Sequence, residues 1–191
     1  MKKAKGGSKK GTPFENEMCK EISWWWSWGA RGDLVRRTKS SGGWATERSK
    51  QDLPSAYQYG DLSPTHPDIY PLFDFFLFEA KRGYSSSLDV LELVDLPGNL
   101  KQRPQMELWW EKAEVDRKAG GKKEIIFLIK RDHRNRIVAI SKKLRDALKI
   151  ETGKSILANN SIFIMDMAEF FAILEPETIP VLLKEYEGQH S

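Results

Sequence analysis

Apolar residues recur at helical intervals near the start of the chain, where Phe14, Met18, Ile22, Trp25 and Trp26 form one stripe. Thr12 fits an N-cap, Pro13 the first helical position and Glu15 the far member of a capping box. The pattern therefore predicts a helix from Thr12 to about Gly29. Short strands are expected at Asp33 to Thr38 and around Tyr57 to Leu62, separated by the Ser- and Gly-rich stretch Lys39 to Lys50. Ser63 to Pro71 holds Pro64, Pro67 and Pro71 and reads as a connection. Asp74 to Lys81 (DFFLFEAK) is the clearest strand, aromatic and mostly apolar. Val90 to Leu96 fits either strand or helix.

The second half continues the alternation. Gln105 to Lys118 is an amphipathic helix stopped by Gly120 and Gly121. Glu124 to Ile129 (EIIFLI) is a buried strand, and Arg136 to Ile140 another. Ser141 caps a short helix to Lys149. Ser161 to Met165 is a strand and Met167 to Leu174 a helix. From Glu175 the chain turns polar and acidic. The whole is a mixed α/β domain with helices covering a sheet. Its expected limits are a flexible basic tail over 1–11, one domain over 12–175 and an acidic tail over 176–191.

Composition narrows the function. The chain has 191 residues and one cysteine, Cys19, so no internal disulfide and no Cys-based zinc module is available. His66, His133 and His190 are scattered, which excludes a two-histidine helical metal motif. No apolar run reaches the ~18 residues of a membrane span, and no apolar segment follows the Lys-rich start. A cytoplasmic protein without membrane association is expected.

The net charge of +4 is unevenly placed. Residues 1–12 carry five lysines and no acid, residues 130–149 eight basic and two acidic side chains, and residues 166–191 one lysine and six acids. Local basic segments of this kind suit a polyanion, with salt-sensitive affinity for a phosphate backbone.

The strand FFLFEAK carries the chemistry. Side chains alternate faces along a strand, so Glu79 and Lys81 project to one side with Phe75 and Leu77. Two charges at the end of an apolar strand, if buried, need partners. Upstream lies Tyr59-Gly60-Asp61-Leu62. An aspartate beside Glu79 makes a two-carboxylate pocket, which favours a hard divalent cation. A neighbouring lysine then orients water for attack at a phosphate.

Gly60-Asp61 followed by Glu79-Ala80-Lys81 resembles the PD-(D/E)xK nuclease superfamily. Gly11 to Glu15 (GTPFE), Arg37-Thr38 and Ser40-Ser41-Gly42-Gly43 are similar to the pattern of Holliday junction resolvases and small phage endonucleases. The likeness covers roughly residues 11–130. It implies a restriction-endonuclease-like αβββαβ core, with a central mixed sheet flanked by helices, over about 12–130 and a C-terminal α/β extension over 131–175.

It also implies an Mg²⁺-dependent endonuclease, with Mn²⁺ able to substitute, that acts on double-stranded or branched DNA as a homodimer. Asp61, Glu79 and the Ala80 carbonyl would hold the metal. Lys81 would position the water, and Glu15 would be an accessory ligand. Arg37, Ser41 and the basic residue Arg82 would meet the DNA. The alternative is a non-catalytic DNA-binding or packaging-associated protein that kept the fold.

Two features depart from the pattern. Glycine rather than proline precedes Asp61, and eighteen positions separate Asp61 from Glu79. Asp68, after Pro67, is the rival for the aspartate, but it sits in a proline-studded stretch. Asp74 is weaker, on the face opposite Glu79. The tryptophans Trp24, Trp25, Trp26, Trp28, Trp109 and Trp110 are expected in cores or interfaces.

Overall fold

A computed structural model describes residues 7–38, 57–82, 105–130, 134–156 and 161–188. Helix α1 (Gly7–Trp26) leads to strand β1 (Val35–Arg37), which pairs antiparallel with β2 (Leu62–Pro64). A 3-10 turn (Pro67–Ile69) and the short helix α2 (Tyr70–Phe75) precede β3 (Phe76–Arg82). Helix α3 (Gln105–Ala119), β4 (Glu124–Lys130), β5 (Arg136–Ser141), α4 (Lys142–Ala147), β6 (Lys154–Ile156), β7 (Ile162–Asp166), α5 (Met167–Ile173) and α6 (Ile179–Gly188) follow.

The main sheet has the order β3-β4-β5-β7-β6. Only β3 and β4 pair in parallel, so the sheet is mixed. The chain is thus a mixed α/β fold with helices against a mixed sheet.

Alternation along the strands divides the core in two. Phe76, Phe78 and Ala80 of β3, with Ile126 and Leu128 of β4, face Phe14, Met18 and Ile22 of α1 and Ile179, Leu182 and Tyr186 of α6. Leu77, Ile125, Phe127 and Ile129 face Met106 and Ala113 of α3. Strand β4 is buried on both faces because α1 and α6 pack on one side of the sheet and α3 on the other, which explains its unbroken apolar run.

The structure moves several expected boundaries. Helix α1 begins at Gly7 and carries Pro13 inside it. Thr12 is therefore not the N-cap, Glu15 closes no capping box, and residues 7–11 belong to the helix rather than to a tail. Proline removes one hydrogen bond, to the carbonyl of residue 9, and the ladder resumes beyond it. At the other end Trp28 and Gly29 both take positive φ, 54° and 83°, and Gly29 N–H returns to the Trp24 carbonyl.

The prolines of the connection start helices. Pro67 and Pro71 each occupy a first-turn position, where a missing N–H is harmless. Asp74 and Phe75 consequently belong to α2, and β3 starts two residues later than expected.

The expected acidic tail is a 3-10 turn (Pro176–Thr178) followed by α6. Ile179, Leu182 and Tyr186 fall on one helical stripe and are buried, while the acids lie elsewhere on the segment. Buried Glu124 accepts the Tyr186 hydroxyl at 2.9 Å and the Ser141 hydroxyl at 2.7 Å. Val90 to Leu96 and the Ser40 to Gly43 loop lie outside the described residues.

Candidate active site

Asp61 reaches the site through a turn built on Gly60. Gly60 has φ +78°, and a Cβ there would stand 2.7 Å from the Phe78 carbonyl oxygen and 3.0 Å from Leu77 Cδ1. Only glycine fits a left-handed residue pressed against β3. The glycine that departed from the nuclease pattern thus has a local reason. The turn then docks through Asp61 N–H to the Phe78 carbonyl at 2.8 Å, while the Asp61 carbonyl accepts Thr38 N–H at 2.9 Å. These two bonds continue β3 toward β2 and β1 and set the aspartate beside the strand carrying Glu79 and Lys81.

The three side chains converge. Lys81 Nζ lies 3.1 Å from Asp61 Oδ2 and 2.5 Å from Glu79 Oε2. Asp61 Oδ2 also accepts Ala80 N–H at 2.8 Å. Alternating backbone groups leave a strand on opposite edges, so the Ala80 carbonyl exits on the Asp61 side as its N–H does. Glu79 and Lys81 share the Leu77 face, as alternation requires. Phe75 does not join them, because it belongs to α2.

All three side chains are largely enclosed, with 13–16% of their surface exposed. Burial and then the facing Asp61 carboxylate push the Glu79 carboxyl up to about 7, against the opposing pull of the Lys81 ammonium. Burial alone would lower the Lys81 amine. The carboxylates of Glu79 and Asp61 outweigh it and hold the amine above its ordinary value. Two acids and one base leave an excess negative charge in a shielded place, which a hard cation relieves. Among the described residues no group of three His, Cys, Asp or Glu side chains is gathered, and Asp61 and Glu79 are the two carboxylates that stand together here.

The other expected residues divide. Glu15 and Arg37 form a close ion pair between α1 and β1, on the face opposite Lys81. Arg37 stands opposite Leu62 in the β1–β2 ladder, one residue from Asp61. Arg82 lies on the α1 face beside Ala80 and opposite Lys130. Ser41 lies outside the described residues. Asp68 is 66% exposed beside His66 and takes no part in the convergence. Asp74 accepts the Tyr57 hydroxyl at 2.6 Å.

Much of the basic 130–149 segment is occupied within the fold. Lys130 and Arg136 bind Glu17, and Arg136 also binds Glu21, so Glu17 is a tether for the sheet rather than a plain surface acid. Lys142 pairs with Asp146, Lys143 lies over the Tyr186 ring, and Arg145 over that of Phe163.

Among the tryptophans, Trp25 donates its indole N–H to the Phe171 carbonyl and Trp26 to that of Asp68, and Trp110 stacks on Phe127. Trp24 and Trp28 remain 49% and 69% exposed. Cys19 is buried, and burial pushes its thiol up to about 12, which makes it inert packing.

No curated protein and no solved structure matches the chain. The family described as "Phage putative PDDEXK endonuclease" matches over residues 6–179, a span that contains α1, the Gly60–Asp61 turn, Glu79-Ala80-Lys81 and most of the described fold beyond them. The chain belongs to this family of phage PD-(D/E)xK endonucleases.

Proposed function

We propose that this nuclease hydrolyses DNA phosphodiester bonds with a divalent metal ion, Mg²⁺ by preference, held by Asp61, Glu79 and the Ala80 carbonyl. The observation that carries the reading is the Lys81 amine set between two carboxylates, one of them anchored by Ala80 N–H. The cation, when bound, supplies the charge that draws in a phosphate and stabilises negative charge as the bond breaks.

The chain's own groups do the rest. Asp61 is fixed by its backbone on both sides and keeps one oxygen bonded to Ala80 N–H. Lys81 donates hydrogen bonds and orients an incoming water toward phosphorus. The water oxygen adds to phosphorus and the bond to the 3′ oxygen breaks. The water gives up one proton to solvent and the departing oxygen takes one up, leaving 5′-phosphate and 3′-hydroxyl ends. The Glu15–Arg37 pair braces β1 next to the Asp61 turn.

Cutting of branched DNA by a homodimer is the finer reading. It is supported by the likeness of the glutamate-bearing first helix and the Arg-Thr segment to junction resolvases. Incubation of the protein with supercoiled plasmid and with a four-way junction, with Mg²⁺ or with chelator, tests both levels. Metal-dependent nicking of either substrate is expected, and Glu79→Ala should bind DNA without cutting it. Paired symmetric cuts confined to the junction would establish resolution. Wild-type protein that leaves both substrates intact with Mg²⁺ and with Mn²⁺ would defeat the nuclease reading.

A further inference from the structure

The two consecutive arginines of β1 go to opposite faces, and among the described residues only Arg37 has a partner. Val35 and Arg37 lie on the α1 side, where Val35 is buried in the core and Arg37 meets Glu15. Arg36 is registered opposite Ser63. Thr38 shares that face, and its hydroxyl lies 2.6 Å from the Ser63 hydroxyl. Asp61, two residues before Ser63, continues the same face, which is also the face of Glu79 and Lys81 on β3. Arg36 therefore stands on the catalytic side of the sheet.

Its Nε is shielded from solvent and has no hydrogen-bond partner among the described residues. The side chain is half-buried and has no carboxylate beside it among the described residues. A shielded Nε–H without an acceptor is unfavourable in the free protein. An anion with two oxygens to offer the planar fork removes the penalty, and phosphate matches that geometry better than it matches a lysine.

We propose that Arg36, and not Arg37, is the arginine that grips a DNA backbone phosphate next to the Asp61–Glu79–Lys81 site. This assignment rests on the nuclease reading above. Arg37 is a structural partner of Glu15. Arg36 is a substrate-binding residue kept unpaired until DNA arrives.

The test uses the full chain carrying Glu79→Gln, so that DNA is bound and not cut, and a short fluorescent duplex titrated at several salt concentrations. Adding Arg36→Gln should weaken binding roughly three- to tenfold and lower the slope of log affinity against log salt by about one. Arg36→Lys should restore the slope and only part of the affinity, because the charge returns without the fork. Tm should not fall in Arg36→Gln, since no partner is lost, whereas Arg37→Gln should lower it by stranding Glu15.

Unchanged affinity and salt slope in Arg36→Gln would overturn the proposal. So would a fall in Tm with binding intact, which would mark a structural residue. If the otherwise wild-type protein cuts DNA while Arg36→Gln behaves as its parent, Arg36 is wrongly assigned and the nuclease reading stands. If the wild type neither binds nor cuts DNA, both fall.

Discussion

Gly60 and Lys81 show how single residues make the site. At Gly60 a methyl group would meet the Phe78 carbonyl oxygen at 2.7 Å in a conformation that L-residues resist. Gly60→Ala should destabilise the fold by about 1–2 kcal/mol from the backbone alone, more from the clash, and lower activity further by displacing Asp61. Thermal unfolding and a cleavage assay separate the two effects.

Lys81→Met should leave DNA binding near wild type and lower the cleavage rate by about 10²-fold or more, the scale of a lost proton-handling or orienting group. Single-turnover cleavage with saturating protein reads it.

Glu79 carries a pH signature in the metal-free protein. Its folded value of about 7 lies above the ordinary 4.5, because burial and Asp61 disfavour the anion. The stability it contributes is complete below about pH 4.5 and is lost as pH rises through about 7. Glu79→Gln cannot ionise, so in chelator its Tm should gain on wild type between pH 5 and pH 8. Parallel curves for the two proteins would contradict this.

At the scale of elements, the C-terminal helix is the feature that charge concealed. The acids from Glu175 onward suggested a solvated tail, yet Ile179, Leu182 and Tyr186 are spaced to bury one stripe against α2 and the sheet. Tyr186 also closes a buried bond to Glu124 at 2.9 Å. Tyr186→Phe leaves that carboxyl with one partner fewer and should lower stability by about 1–3 kcal/mol, read from denaturant unfolding. Truncation before Pro176 should lower it more, because the core would open onto water. A dispensable tail predicts no change in either.

Helices α3, α4 and α5 were legible because their caps and stripes are local signals, such as Ser141 accepting Leu144 N–H and Asp166 accepting Ala168 N–H. Helix α2 was not, since its prolines read as breaks until their first-turn positions are known.

Over the whole molecule, charge bears on substrate and stability through different groups. The 130–149 segment was expected to hold DNA. Lys130 and Arg136 instead tether the sheet to Glu17 and Glu21 of α1. Partly exposed pairs of this kind are worth about 0.2–1 kcal/mol each. Arg136→Gln should therefore lower Tm slightly and leave the salt slope of DNA binding unchanged, in contrast with Arg36→Gln. Sequence spacing cannot separate an arginine that binds a neighbour from one that waits for a phosphate, because the difference lies in which helix packs over it.

The sequence by itself determined the candidates: the acids, the amine, and the alternation that sends Glu79 and Lys81 to one face. These follow from residue type and local geometry, and they sufficed to choose Asp61 over Asp68 as the better candidate. Tertiary structure decided the convergence and its limits. The Gly60 turn brings Asp61 across twenty positions to Lys81, the β1–β2 register separates Arg36 from Arg37, and packing takes Glu15 to Arg37. Contacts between residues far apart in the chain depend on backbone register and packing, which short-range periodicity does not encode.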